Sequence, residues 1–135
     1  MITLLLAAGQ GYPLMWGDFT EVEGNPPHYT LVVPGEGIAW HNFGENYFIY
    51  GHEDSFKPVQ LLDVGFRIAV VDTDGVRHVF KVTETRIIKE DGPWEERVSN
   101  AEWATAESDQ PIVTIMTCYQ GTDRRFLVRA VEVTE

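Results

Sequence analysis

The sequence predicts a mainly β protein folded as a single domain. Three observations carry this. Its apolar runs are short, rich in β-branched and aromatic residues, and separated by Gly, Pro, Asn or Asp, the pattern of strands rather than helices. Several runs alternate with period two: Phe66, Ile68 and Val70 interleave with Arg67, Ala69 and Val71, and Val76, His78, Phe80 and Val82 with Arg77, Val79 and Lys81. The chain of 135 residues, 44% hydrophobic and 23% charged, suits one compact core and contains no linker, repeat or charge block that would divide it. Residues 1–135 are therefore taken as one domain.

In chain order, the apolar run Ile2–Ala8 reads as a first strand, because it is far shorter than the roughly 20 residues of a membrane-spanning helix and has no basic flank. Residues 9–34 are rich in Gly and Pro, so irregular chain is expected there, apart from a short strand at Thr30–Val33. Further strands are expected at Tyr47–Tyr50, Phe66–Asp72 and Arg77–Thr85. Asp72-Thr73-Asp74-Gly75 reads as a hairpin turn in which Gly75 takes positive φ. The connection Lys89–Pro111 is long and acidic, with one helical turn expected over Glu102–Glu107, opened by Ser99 or Asn100. The last strands fall at Ile112–Cys118 and Phe126–Val133.

Charge narrows the partners. The formal net charge of -11 repels the phosphate backbone, so no nucleic acid, DNA included, is expected as partner, and an anionic membrane surface is disfavoured. Cys118 is the only cysteine, which excludes an internal disulfide and a multi-cysteine zinc site. It ends an apolar strand and precedes the polar turn Gln120-Gly121-Thr122-Asp123, so it belongs at a rim beside a loop. A thiol near its ordinary pKa is only a few per cent thiolate at neutral pH, and a nucleophilic one needs a base or a cation nearby. Arg124 and Arg125 open the next strand. Of the four histidines, His52 is best placed, at the end of the apolar strand that finishes Tyr50-Gly51-His52. His41 competes with it, His28 lies in the Pro-rich region, and His78 alternates within a hairpin strand.

These segments together resemble a known family. Thr114-Ile115-Met116-Thr117-Cys118 is similar to the sortase T-L-x-T-C signature, with Ile115 in place of Leu. Gly44-Glu45-Asn46-Tyr47-Phe48-Ile49-Tyr50-Gly51-His52 resembles the G-x-N-x-x-I-x-G-H strand of that family, and Arg124-Arg125-Phe126-Leu127-Val128 the strand that opens with its arginine. The similarity runs from about Gly37 to Val133, with the middle strands in family order. It implies a mixed β-barrel of seven or eight strands with short helical turns in long loops.

It implies chemistry as well: His52, Cys118 and Arg125 as the catalytic set, with Thr117, Thr114 and Arg124 contacting substrate. Such a site is expected to cleave a sorting-signal peptide resembling Leu-Pro-x-Thr-Gly through a Cys118 thioester. The acyl group then passes to an amine, from a cell-wall peptide or a pilin-type lysine. No cofactor and no metal are expected, although calcium ordering of the Lys89–Pro111 loop, as in some family members, is an alternative. The resemblance places such a protein at the extracellular face of the bacterial cell membrane or in the cell wall. A catalytically silent module of a surface or particle assembly is the competing class, because fold alone does not fix function. A cysteine hydrolase of another fold is disfavoured, since papain-like and caspase-like signatures around the cysteine are absent.

Overall fold

The computed structural model describes residues 1–17, 37–51, 56–89, 92–118 and 124–134, without the side chains of Trp94 and Cys118. Among them are seven strands: β1 (Ile2–Ala7), β2 (Gln10–Trp16), β3 (Ile38–Gly51), β4 (Arg67–Asp72), β5 (Arg77–Lys89), β6 (Ser108–Cys118) and β7 (Arg124–Glu132). A 3-10 turn occupies Lys57–Leu61, and one helix, α1 (Trp94–Ala104), joins β5 to β6. The strands close into a barrel in the order β1-β2-β3-β6-β7-β5-β4. Pairs β2–β3 and β3–β6 are parallel and the others antiparallel, so the barrel is mixed, as expected.

Alternation along the strands sorts the apolar residues into two layers. One row, including Leu5, Ile49, Val70, Phe80, Val113 and Val128, fills the barrel interior. The other row of β3, β6 and β7 faces outward, and there Phe48, Tyr50, Met116 and Leu127 are covered by Ala101 and Ala104 of α1. Phe48, Met116 and Leu127 are fully buried, and each such side chain contributes about 1.5–3 kcal/mol. The helix therefore completes a second core outside the barrel.

Strand β3 serves two partners. Its first residues pair with β2, Leu14 to Trp16 against Ile38 to Trp40, and from Gly44 onward it pairs with β6. Gly44 has φ of 60°, and a Cβ there would meet the Ser108 carbonyl oxygen at 2.6 Å, so this irregularity in the ladder requires glycine.

Several elements differ from the sequence expectations. Strand β2 occupies part of the stretch expected to be irregular; Pro13 is tolerated because the β3 ladder begins only at Leu14. Strand β3 is 14 residues long, where only its last part was expected. Helix α1 starts at Trp94, so Ser99 and Asn100 lie inside it and do not cap it; Glu95 and Glu96 in the first turn favour the earlier start through the helix dipole. The hairpin at Asp72–Gly75 is present, with Gly75 at φ of 79°. Thr30–Val33 lies outside the described residues.

Candidate active site

The end of the barrel at which β3 and β6 finish brings the motif segments together. In the parallel pair, Gly51 lies opposite Thr117. In the antiparallel pair on the other side, Cys118 lies opposite Arg125 and Thr117 opposite Phe126. The residue before His52 and the residue before Cys118 are thus neighbours, and Arg125 is in register with the cysteine. This register separates Arg125 from Arg124, which sits one position off. His52 lies outside the described residues.

Arg125 is 7% exposed, and its Nη1 donates to the Arg124 carbonyl at 3.1 Å. Leu127 of the outer core and Arg125 are two positions apart on β7, which puts both on the outward face. Arg124 is half-buried. Thr117 is fully buried, on the same alternating row as Val113 and Ile115, and its hydroxyl has no hydrogen-bond partner among the described residues.

Thr114, also expected on the substrate side, has its hydroxyl engaged elsewhere. It donates to Asn46 Oδ1 at 2.9 Å and accepts from Arg129 Nε at 2.9 Å. Asn46 Nδ2 in turn donates to the carbonyls of Ala104 at 3.1 Å and Ala106 at 3.0 Å, just where α1 ends. Arg129 Nη2 donates to the Trp103 carbonyl at 2.7 Å. Buried polar groups are costly unless satisfied, and here Asn46 meets all its partners within the network.

The Trp103 ring adds a second attachment. Arg86 Cζ stands 3.8 Å and Arg129 Cζ 3.9 Å from its centroid, contacts worth about 0.5–2 kcal/mol each depending on desolvation. Arg86 also pairs with Glu84. Burial lowers the pKa of Arg129 below the ordinary guanidinium value; Glu84 opposes the shift and Arg86 adds to it. Asn46 stood in the quoted strand motif only as a pattern letter, and nothing in the sequence pointed to Arg129 or Trp103 as its associates.

The competing histidines have structural surroundings. His41 Nδ1 donates to the Gly17 carbonyl at 2.8 Å, and its ring packs at a tilt against Trp16 at 4.6 Å and Phe43 at 5.0 Å. His78 lies between Asp72, at 2.9 Å, and Glu132, at 3.7 Å. His28 lies outside the described residues. Among the described residues no group of three or more His, Cys, Asp or Glu is arranged to hold a metal ion. No described helix is long and apolar enough to cross a membrane.

Comparison with known proteins agrees with the fold. The model of the sortase domain family matches residues 12–133. Among solved structures, sortase C from Clostridium perfringens SM101 aligns with a TM-score of 0.67 at 14% identity, covering 99% of this chain and 70% of that one. Sortase A from Listeria monocytogenes aligns at 0.66 and 17% identity, covering 98% and 87%. Sortase A from Corynebacterium diphtheriae gives 0.69 at 16% identity, covering 99% and 61%. At such identities the likeness is one of fold. No curated protein matches the sequence.

Proposed function

Because this chain belongs to the sortase family, we propose that it is a cysteine transpeptidase acting on a sorting-signal peptide of the Leu-Pro-x-Thr-Gly kind. The observation that carries the reading is the strand register: Cys118 opposite Arg125, with Thr117 beside Gly51. In this mechanism the Cys118 thiolate attacks the carbonyl carbon between the last two residues of the signal, forming a tetrahedral oxyanion. Arg125, permanently charged, stabilises that oxygen or grips the peptide carbonyls, a contribution of roughly 3 kcal/mol for a well-aimed donor. His52 as imidazolium gives its proton to the departing amine as the C–N bond breaks, leaving a thioester. An incoming amine then attacks the thioester, His52 takes its proton, and the thiolate is released. A cell-wall peptide or a pilin-type lysine fits as acceptor, and water in its place gives hydrolysis. Arg124 is assigned to contact with the peptide, no cofactor is assigned, and the place of action is the cell surface.

Intact-mass measurement tests this. The protein and Cys118→Ala are each incubated with a panel of Leu-Pro-x-Thr-Gly-like peptides and a glycine-based amine. A thioester adduct or ligated product is expected with the intact cysteine and none with Cys118→Ala, whose fold is retained. Absence of adduct with every peptide, together with a thiol inert to alkylation, would make the domain a silent structural module.

A further inference from the structure

The outward face of β3, β6, β7 and β5 is a lattice of rows fixed by strand register. One row holds Phe48, Thr114, Arg129 and Glu84, and the next holds Tyr50, Met116, Leu127 and Arg86. The row after that contains Arg125 and Ile88, with the Cys118 backbone in register with Arg125. Helix α1 lies on the first two rows through Ala101 and Ala104, and Ile88 of the third row belongs to the same apolar cluster. Met116 and Leu127 are each two positions from Cys118 and Arg125 respectively. The helix thus borders the row in which β7 pairs Arg125 with Cys118 on one side and Ile88 on the other.

What holds α1 there is concentrated at its C-terminal end. Asn46 takes the carbonyls of Ala104 and Ala106, Arg129 takes that of Trp103, and the indole of Trp103 carries the guanidinium groups of Arg86 and Arg129. Thr114 ties Asn46 to Arg129. The alanines contribute little grip of their own. We propose that this clasp makes Trp103 a positioning residue, fixing α1 beside the register pair of Cys118 and Arg125 and so setting affinity for the peptide that binds there. The proposal rests on the transpeptidase reading for its substrate, but not for its mechanics.

The test uses the whole domain with Trp103→Leu, which keeps an apolar side chain but no π face, Trp103→Phe, which keeps one, and Arg86→Gln as a milder variant. Three readouts are taken: steady-state kinetics with peptide and amine, amide hydrogen exchange, and the rate of Cys118 alkylation by iodoacetamide. Trp103→Leu is expected to raise the peptide KM about tenfold with kcat within about twofold, while Trp103→Phe recovers most of the loss. In Trp103→Leu, α1 amides exchange faster and Cys118 alkylates severalfold faster, while β1 and β4 keep their protection. Arg86→Gln moves the same quantities less. A fall in kcat at unchanged KM, or unchanged exchange and alkylation in Trp103→Leu, overturns the proposal. If the wild-type protein turns over no peptide while exchange and alkylation still respond, the clasp stands and the transpeptidase reading fails.

Discussion

At the scale of single residues, Asp72 shows how one carboxylate organises a turn. Its Oδ1 accepts from the amides of Asp74 at 2.9 Å and Val76 at 3.0 Å, and its Oδ2 faces His78 Nε2 at 2.9 Å. These contacts, the His78 bond foremost and the Val76 amide next, lower its pKa below the ordinary 3.8. A carboxylate with a depressed folded pKa contributes stability above its unfolded pKa and loses it as pH falls through the folded value. Asp72→Asn is therefore expected to melt below the wild type at neutral pH, and the difference to close as pH is lowered through and below the ordinary carboxylate range. Parallel melting curves across that range would deny the carboxylate this role. His78 was readable as structural from its place in the alternating run. The Asn46 network was not, because its carbonyl acceptors, at the end of α1 and just past it, lie 58 and 60 residues further along the chain.

At the scale of elements, strands with clean alternation or a dense β-branched run were legible, and those broken by Gly or Pro were not. Strand β2 was hidden by Gly11 and Pro13, and the first part of β3 by the Gly44 irregularity, which interrupts the period. Helix α1 has no capping side chain at Pro93, so its start carried no capping signature and was marked only by Glu95 and Glu96 in the first turn. The β1–β2 hairpin has Ala8 at φ of 51° followed by Gly9 at 76°, with Ala7 paired to Gln10. Two central residues of positive φ are what a type I′ turn requires, and alanine there carries a steric cost. Ala8→Gly is expected to stabilise the protein by about 1 kcal/mol, seen as a higher urea midpoint at unchanged m-value. No gain would mean that the lost rigidity of the unfolded chain offsets the relieved turn.

At the scale of the whole molecule, the mixed closed barrel was legible through the family resemblance, while composition and periodicity alone reached only a mainly β domain. The order of strands depends on pairings between segments distant in sequence, which no local pattern encodes. The excess of carboxylates acts on the molecule as a whole. With a formal net charge of -11, self-repulsion opposes compaction, and salt screens it. Raising sodium chloride from about 20 mM to about 500 mM is expected to raise the melting temperature; a flat or falling response would show that attractive pairs such as Arg86–Glu84 outweigh the repulsion.

The strand order also has a consequence for how the protein is born. Strands β6 and β7 sit between β3 and β5 in the barrel yet follow both in the chain. A nascent polypeptide leaving the ribosome amino end first presents β3 and β5 with open edges until β6 and β7 emerge to fill the gap. Over that interval the edges invite pairing with foreign strands, which makes the half-made chain a natural client for a chaperone. The thiol and the arginine arrive on those same two strands, so the site proposed above cannot assemble before both have joined the barrel.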